Sequence, residues 1–151
     1  MKRKEVKSEL LDRKPPCDDT AEKAVIGSLM LDPTKRSAIA GIVQEEDFHL
    51  PGCRLFFAQL MDMESLDSIL LLDAMRRSGR LEKAGGAAFL TECIQSVAVA
   101  AHAEHYARIV RETARKRRLI RLLLNALQAL YADKWDVEKL IQRLIQRLQD
   151  I

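Results

Sequence analysis

The residues best suited to metal chemistry are two histidines in the second half of the sequence. His102 and His105 stand three positions apart, with Glu104 between them, so one face of a helix could present both imidazoles. A zinc site needs three or four protein ligands, and no third ligand follows at a fitting spacing. The pattern therefore favours solvent-exposed histidines near the start of a helix, and we expect neither a metal ion nor a cofactor.

A cluster of acids and a pair of glycines are the other residues that suggest catalysis. Glu45, Glu46 and Asp47 could share acid–base work, but neither a nucleophile nor a pocket is indicated near them. The glycines of KAGGAA (83–88) follow no strand pattern, and the phosphate-binding sequence GxxxxGK(S/T) does not occur in these 151 residues. We expect no catalytic residue in this chain and no ATP hydrolysis by it.

Positive charge is concentrated in residues 108–121, where Glu112 is the only acid. The basic residues of this stretch are Arg108, Arg111, Arg115, Lys116, Arg117, Arg118 and Arg121. The four consecutive cations at 115–118 could contact phosphate groups or the acids of a partner protein. No aromatic residue is interleaved to stack on bases, so a solvated helical shaft is the alternative, and any contact with nucleic acid is expected to be weak or indirect.

The composition indicates a single folded domain in a reducing compartment. Hydrophobic residues make up 48% of the chain and charged residues 31%, which is enough for a packed core, and the net charge is only +3. The three cysteines are odd in number and lack metal-site spacing, so no disulfide framework is indicated. No apolar stretch reaches 18 residues, and no signal peptide is evident. We expect a cytoplasmic protein with no membrane contact.

A globular head of about five helices is predicted over residues 15–100, after a mobile basic tail at 1–14. Asp19 and Glu22 suggest a capping box for the first helix, which ends before Pro33. The later helices of the head are expected at 35–43, 54–63, 65–77 and 87–94.

The fourth of these helices has signals at both ends. Ser65 would be its N-cap, and Gly79 stands where a glycine often follows the last turn. Its inward side chains are predicted to be Leu66, Ile69, Leu70 and Met75.

Residues 101–151 predict a long antiparallel hairpin of two helices. Neither proline nor glycine interrupts the sequence from Ala101 to Ala132, which as one helix would be about 45 Å long. A turn near 133–136 precedes a second helix that runs to Ile151. No strand pattern competes, so the predicted fold class is all-α: a small helical head followed by the hairpin.

The hairpin carries more apolar surface than one partner helix can cover. Apolar residues recur every three or four positions in its second helix, and the end of its first helix is apolar nearly all round. The predicted interface, within the hairpin and with a second copy, comprises Leu119, Leu122, Leu123, Ala126, Leu130, Val137, Ile141, Leu144 and Leu148. We expect self-association, and a hairpin folded back onto its own head is the alternative.

Four short blocks of sequence occur in an order that is typical of one known family. They are PPCDDTAEKAVIGSLMLDP (15–33), Asp47-Phe48 with Phe56-Phe57, GRLEKAGGAAFL (79–90) and HYARIVRETARKRRLI (105–120). Together they resemble the N-terminal domain of DnaB-type hexameric replicative DNA helicases. Cys17 stands where that family usually has His, and Lys23 where it usually has Gln. The loop at Met63–Asp67 is shorter than the family's, which bears on any partner that reads this loop.

The resemblance implies a non-catalytic domain that works by binding. In the family, hairpins pair across subunits, and the N-terminal domains build a collar on the hexameric ring, while the ATPase lies in a following RecA-like domain. The collar contacts primase and, in some systems, a helicase loader. The implied partners of this chain are therefore itself, as a dimer or a trimer of dimers, primase and in some systems a loader, in bacterial or phage DNA replication.

Two other functions stay open. A stand-alone protein of this fold could join or block a full-length helicase ring. A nucleic-acid-binding helical bundle could use the cations at 115–118, and its binding would then weaken as the salt concentration rises.

Overall fold

Seven α-helices and four 3₁₀ turns form all the regular structure of the residues that the computed structural model describes, which are 13–132 and 136–151. The helices are α1 (Asp19–Leu31), α2 (Arg36–Ala40), α3 (Pro51–Asp62), α4 (Ser68–Arg77), α5 (Gly86–Gln95), α6 (Ala103–Tyr131) and α7 (Val137–Gln149). The predicted all-α class, five helices followed by a long hairpin, is confirmed. The predicted tail at 1–14 lies outside the described residues, apart from Arg13 and Lys14. Within the described ranges, no helix is long and apolar enough to cross a membrane.

Helix α1 is the centre of the head, because α5 and α6 both pack along it. Its Val25, Ile26 and Leu29 are fully buried. Gly27 lies on the side of α1 that meets α5, where the two backbones approach closely. Helix α1 therefore buries almost its whole circumference, and the remaining helices are held in place around it.

The start of α1 differs from the predicted capping box. Asp18 is the N-cap, and its Oδ1 accepts a hydrogen bond from the backbone N–H of Ala21 at 2.9 Å. The Glu22 carboxylate instead turns into the protein and accepts from two backbone N–H groups just before α3. The capping-box prediction is wrong because it considers only neighbouring residues, whereas Glu22 finds its partners 27 and 28 positions away.

Helix α2 is shorter than the predicted 35–43 and follows a 3₁₀ turn at Pro33–Lys35. The Arg36 guanidinium donates hydrogen bonds to the backbone carbonyls of Met61 and Met63. These bonds attach the start of α2 to the end of α3 and to the short loop that follows it.

Helix α4 begins two residues later than predicted. Asp67, rather than Ser65, is its N-cap, and its carboxylate accepts from the backbone N–H groups of Ile69 at 2.8 Å and Leu70 at 3.0 Å. Gly79 follows the helix with a φ of +67°, as the predicted C-terminal glycine should.

The side chains of α4 that face the core also differ from the predicted set. Leu71 and Met75 are fully buried, and Leu66 packs against the core from the preceding loop. Ile69 and Leu70 are 76% and 52% exposed, so their predicted inward orientation is wrong. Residues 69–72 are all apolar, and such a run does not reveal which of its members point inward.

Helix α6 belongs to both parts of the molecule. In its first three turns Ala103, Ala107 and Val110 are fully buried in the core of the head. Its second half packs against α7 instead. One continuous helix thus carries the hairpin on the head, and the division between 100 and 101 stays a prediction.

Candidate functional site: the faces of the helical hairpin

The two hairpin helices meet along a narrow seam. Leu122 and Ala126 of α6 and Leu140 of α7 are its buried side chains, and Leu144 is partly buried one turn further on. Leu140 is not a member of the predicted interface, yet it is the most buried side chain of α7. The predicted interface set therefore contributes Leu122, Ala126 and Leu144 to packing within the hairpin.

A second set of apolar side chains lies beside the seam and is open to solvent in the single chain. We call this set the apolar face, and its members are Leu119, Leu123, Leu127, Leu130, Val137, Ile141, Ile145 and Leu148. They are between 37% and 57% exposed. Six of the eight are in the predicted interface, whereas Leu127 and Ile145 are not, although each lies four residues after a predicted member.

The members from the two helices share one side of the hairpin. In α6, Leu119, Leu123 and Leu127 lie three residues before or one residue after a seam residue, and Leu130 lies four residues after Ala126. In α7, Val137 and Ile141 have the same relation to Leu140. Because the helices are antiparallel, an equal displacement from the seam puts both rows on the same side. The result is one continuous apolar surface, of the kind that usually marks an interaction site.

The four cations at 115–118 of α6 divide into two that contact the head and two that face solvent. Arg117 donates to the backbone carbonyl of Pro16 at 2.7 Å and to that of Asp47. Arg118 donates to the Asp47 carboxylate, which is itself buried. Burial lowers the pKa of the Arg117 guanidinium, an effect that the nearby carboxylate of Glu22 opposes. These two arginines hold α6 to the head.

The other two predicted contact residues face solvent. Arg115 lies 3.8 Å from the Glu112 carboxylate, and its Nε donates to the backbone carbonyl of Ile151 at 3.2 Å. Lys116 is exposed and forms no ion pair with any described residue. The structure thus does not gather 115–118 into one patch, and a role of these residues in phosphate or acid binding stays a prediction.

The residues that suggested metal or acid–base chemistry have other partners. The His102 ring lies edge-on to the Tyr106 ring, with centroids 6.5 Å apart, and His105 is exposed. Glu104 lies 3.9 Å from the Lys35 ammonium and 3.5 Å from the Arg108 guanidinium. In the described ranges, three or more His, Cys, Asp or Glu side chains nowhere come together as metal ligands would.

We expect Arg117→Ala to lower the free energy of unfolding by about 2 kcal/mol, because two backbone carbonyls lose their donor. The matched control is Lys116→Ala, which removes a neighbouring exposed cation and should change stability by less than about 0.5 kcal/mol. Urea denaturation followed by circular dichroism would measure both. Equal unfolding midpoints for the two variants would show that Arg117 does not hold α6 to the head.

These contacts bring the sequence blocks of the first subsection together. Arg117 of the last block bonds to Pro16 of the first and Asp47 of the second. A family model described as "DnaB-like helicase N terminal domain" matches residues 14–112, well over half of the chain. The chain belongs to this family. The resemblance found in the sequence is therefore confirmed.

Relatives of the DnaB family resemble the chain over nearly its whole length. It is 31% identical to the replicative DNA helicase DnaB of Geobacillus stearothermophilus over 144 residues, which are 93% of this chain and 32% of that protein. It is 29% identical to the replicative DNA helicase DnaC of Bacillus subtilis (strain 168) over 146 residues, 94% of this chain and 32% of that protein. The chain thus spans about a third of the length of these relatives.

A solved structure of the DnaB family has the same fold. It is the crystal structure of the N-terminal domain of DnaB helicase from Mycobacterium tuberculosis, which matches with a TM-score of 0.83 and 29% sequence identity. The match covers 91% of this chain and 100% of the other. The head and the hairpin therefore occur together in a DnaB N-terminal domain.

Proposed function

We propose that this chain is a non-catalytic assembly and docking domain of a replicative DNA helicase, acting in the cytoplasm. The chain belongs to the DnaB family, and it matches about a third of the length of a replicative DNA helicase. Both findings support the proposal. The observation that carries it is the apolar face, which is a poor surface for a protein that stays alone in water. The face would bind the same face of a second copy, giving a dimer or a trimer of such dimers.

The pairing needs no further partner, because an apolar face that meets its own copy across a two-fold axis is self-complementary. Burying apolar area is favourable by roughly 25 cal/mol per Å², so half-exposed leucines and isoleucines on both copies can supply the association energy. In the helicase, the paired domains would present a surface to primase and, in some systems, to a loader.

Contact with nucleic acid is a small part of this proposal. Arg117 and Arg118 donate their hydrogen bonds to residues of the head. Of the four cations at 115–118, only Arg115 and Lys116 are therefore exposed. By themselves, these two cations would support only weak phosphate binding.

We expect Leu123→Asp to reduce self-association at least tenfold with little change in the melting temperature. Leu123 is 54% exposed in the single chain, so a carboxylate there is solvated in the monomer but loses water in a paired face. The matched control is Gln128→Asp, which adds the same charge to an exposed position of α6 outside the apolar face. Sedimentation equilibrium would measure both dissociation constants.

The variants also test whether the face is the right one. If Leu123→Asp and Gln128→Asp associate as tightly as the unchanged chain, the apolar face is not the contact between copies. Leu144→Asp differs from both, because Leu144 is partly buried beside the seam and the change should loosen the hairpin itself.

A further inference from the structure

An open groove runs along the seam on the side away from the apolar face. It has a volume of about 220 Å³, and its lining residues are Leu122, Asn125, Ala126, Ala129, Leu140, Arg143, Leu144 and Arg147. A second depression of about 310 Å³ shares Leu122, Asn125 and Arg147 with it and continues past Arg118 and Arg121. The two depressions therefore form one elongated groove, which we call the back groove.

The back groove and the apolar face have no residue in common. All eight members of the apolar face are absent from the lining of both depressions. Arg121 lies one residue before the seam residue Leu122 and Asn125 one residue before Ala126, which is the opposite displacement from Leu123 and Leu127. Pairing through the apolar face would thus leave the back groove open.

The chemistry of the groove is an apolar floor beside basic side chains. Leu122, Leu140 and Leu144 line the floor, and Ala126 and Ala129 are small enough to leave room for an inserted side chain. Arg121 and Arg147 are exposed at the edge and form no ion pair with any described residue. Among the described lining residues, Asp150 is the only acid.

We infer that the back groove docks an amphipathic helix of a partner protein whose polar side is acidic. Leucine-type side chains would enter beside the alanines, and carboxylates would lie against Arg121 and Arg147. A second copy of this chain fits poorly, because its hairpin carries the same basic run. A nucleic acid also fits poorly, because the floor is apolar and none of the described residues that line it is aromatic for base stacking. This inference goes beyond the self-association proposed above.

Fluorescence anisotropy with the full 151-residue chain would test the inference. The probe is a fluorescein-labelled amphipathic peptide with leucines on one side and glutamates on the other, compared with a peptide of the same pattern carrying lysines instead. We expect the acidic peptide to bind at least tenfold more tightly than the basic one. The double variant Arg121→Glu/Arg147→Glu should weaken acidic-peptide binding at least tenfold, since both edge cations are reversed.

Three controls separate the groove from general electrostatics and from pairing. Arg111→Glu/Lys116→Glu makes the same change of net charge on α6 outside the groove and should weaken binding less than threefold. Ala129→Phe fills the groove without changing charge and should also weaken binding at least tenfold. Leu123→Asp should leave peptide binding unchanged, which keeps this test independent of self-association.

Each contrary result would overturn the inference. Equal losses in the two charge-reversal variants would mean that attraction is non-specific. Loss of self-association in Arg121→Glu/Arg147→Glu would assign the groove to a second copy, and displacement of the peptide by a single-stranded oligonucleotide would assign it to nucleic acid. Absence of peptide binding at any concentration tested up to the millimolar range would refute the groove as a docking site.

Discussion

Glu22→Gln should lower the free energy of unfolding by about 3 kcal/mol. Glu22 is fully buried, and its Oε1 and Oε2 each accept a backbone N–H, from His49 and Leu50, at 2.8 Å. The amide keeps the shape of the side chain but turns an NH₂ donor toward one of these N–H groups. That bond is then lost and two donors face each other in a buried place, which is costly.

The control for this change is Glu46→Gln, at an exposed position of the turn before α3. It should shift stability by less than about 0.5 kcal/mol, because an exposed carboxylate has little to lose. Urea unfolding at one pH would compare the two variants. Similar unfolding midpoints would show that the bonds from Glu22 do not hold α1 to the start of α3.

Gly27→Ala should destabilise the head by about 3 kcal/mol, which corresponds to a fall of roughly 10 °C in melting temperature. A Cβ at Gly27 would lie 2.1 Å from the backbone carbonyl oxygen of Cys93 and 2.6 Å from Cγ2 of Val97. The first of these atoms belongs to the backbone of α5, so a rotamer change cannot relieve the clash. The two helices would have to move apart, and their buried contacts would loosen.

Gly41→Ala is the matched control for Gly27→Ala. Gly41 has a φ of −76°, and a Cβ there would meet no heavy atom closer than 3.5 Å. Its replacement should be neutral or slightly stabilising, since alanine restricts the unfolded chain more than glycine does. Differential scanning calorimetry would show whether only Gly27→Ala lowers the melting temperature, and a similar fall in both variants would contradict the close packing of α1 on α5.

The sequence predicts the helices well where apolar residues recur at helical spacing. The long α6 is one example, since no proline or glycine interrupts it, and α7 is another, since its apolar residues recur every three or four positions. The prediction fails at α4, where every residue from 69 to 72 is apolar, so the pattern does not indicate which side of the helix faces the core. There the packing of α4 on the core decides which side chains are buried, and these are Leu71 and Met75.

Long-range contacts explain the rest of what the sequence could not predict. Arg117 resembles its exposed neighbour Lys116 in a run of cations, and only the folded chain brings Pro16 and Asp47 to it. Glu22 likewise looks like a local capping residue until the segment before α3 is placed beside it.

At the candidate site too, the sequence does not predict which apolar side chains of the hairpin are buried. Periodicity identifies the apolar residues of α6 and α7, but it does not separate Leu122 in the seam from Leu123 on the apolar face, because both are leucines one position apart. The packing of α7 makes that distinction.

Static light scattering of the unchanged chain, over protein concentrations from micromolar to millimolar, tests the central claim most directly. Pairing through the apolar face predicts a mass that rises with concentration to twice the 17.2 kDa of one chain, or to a higher even multiple. A mass of 17.2 kDa at every concentration would contradict the claim, and the apolar face would then have to serve a different protein.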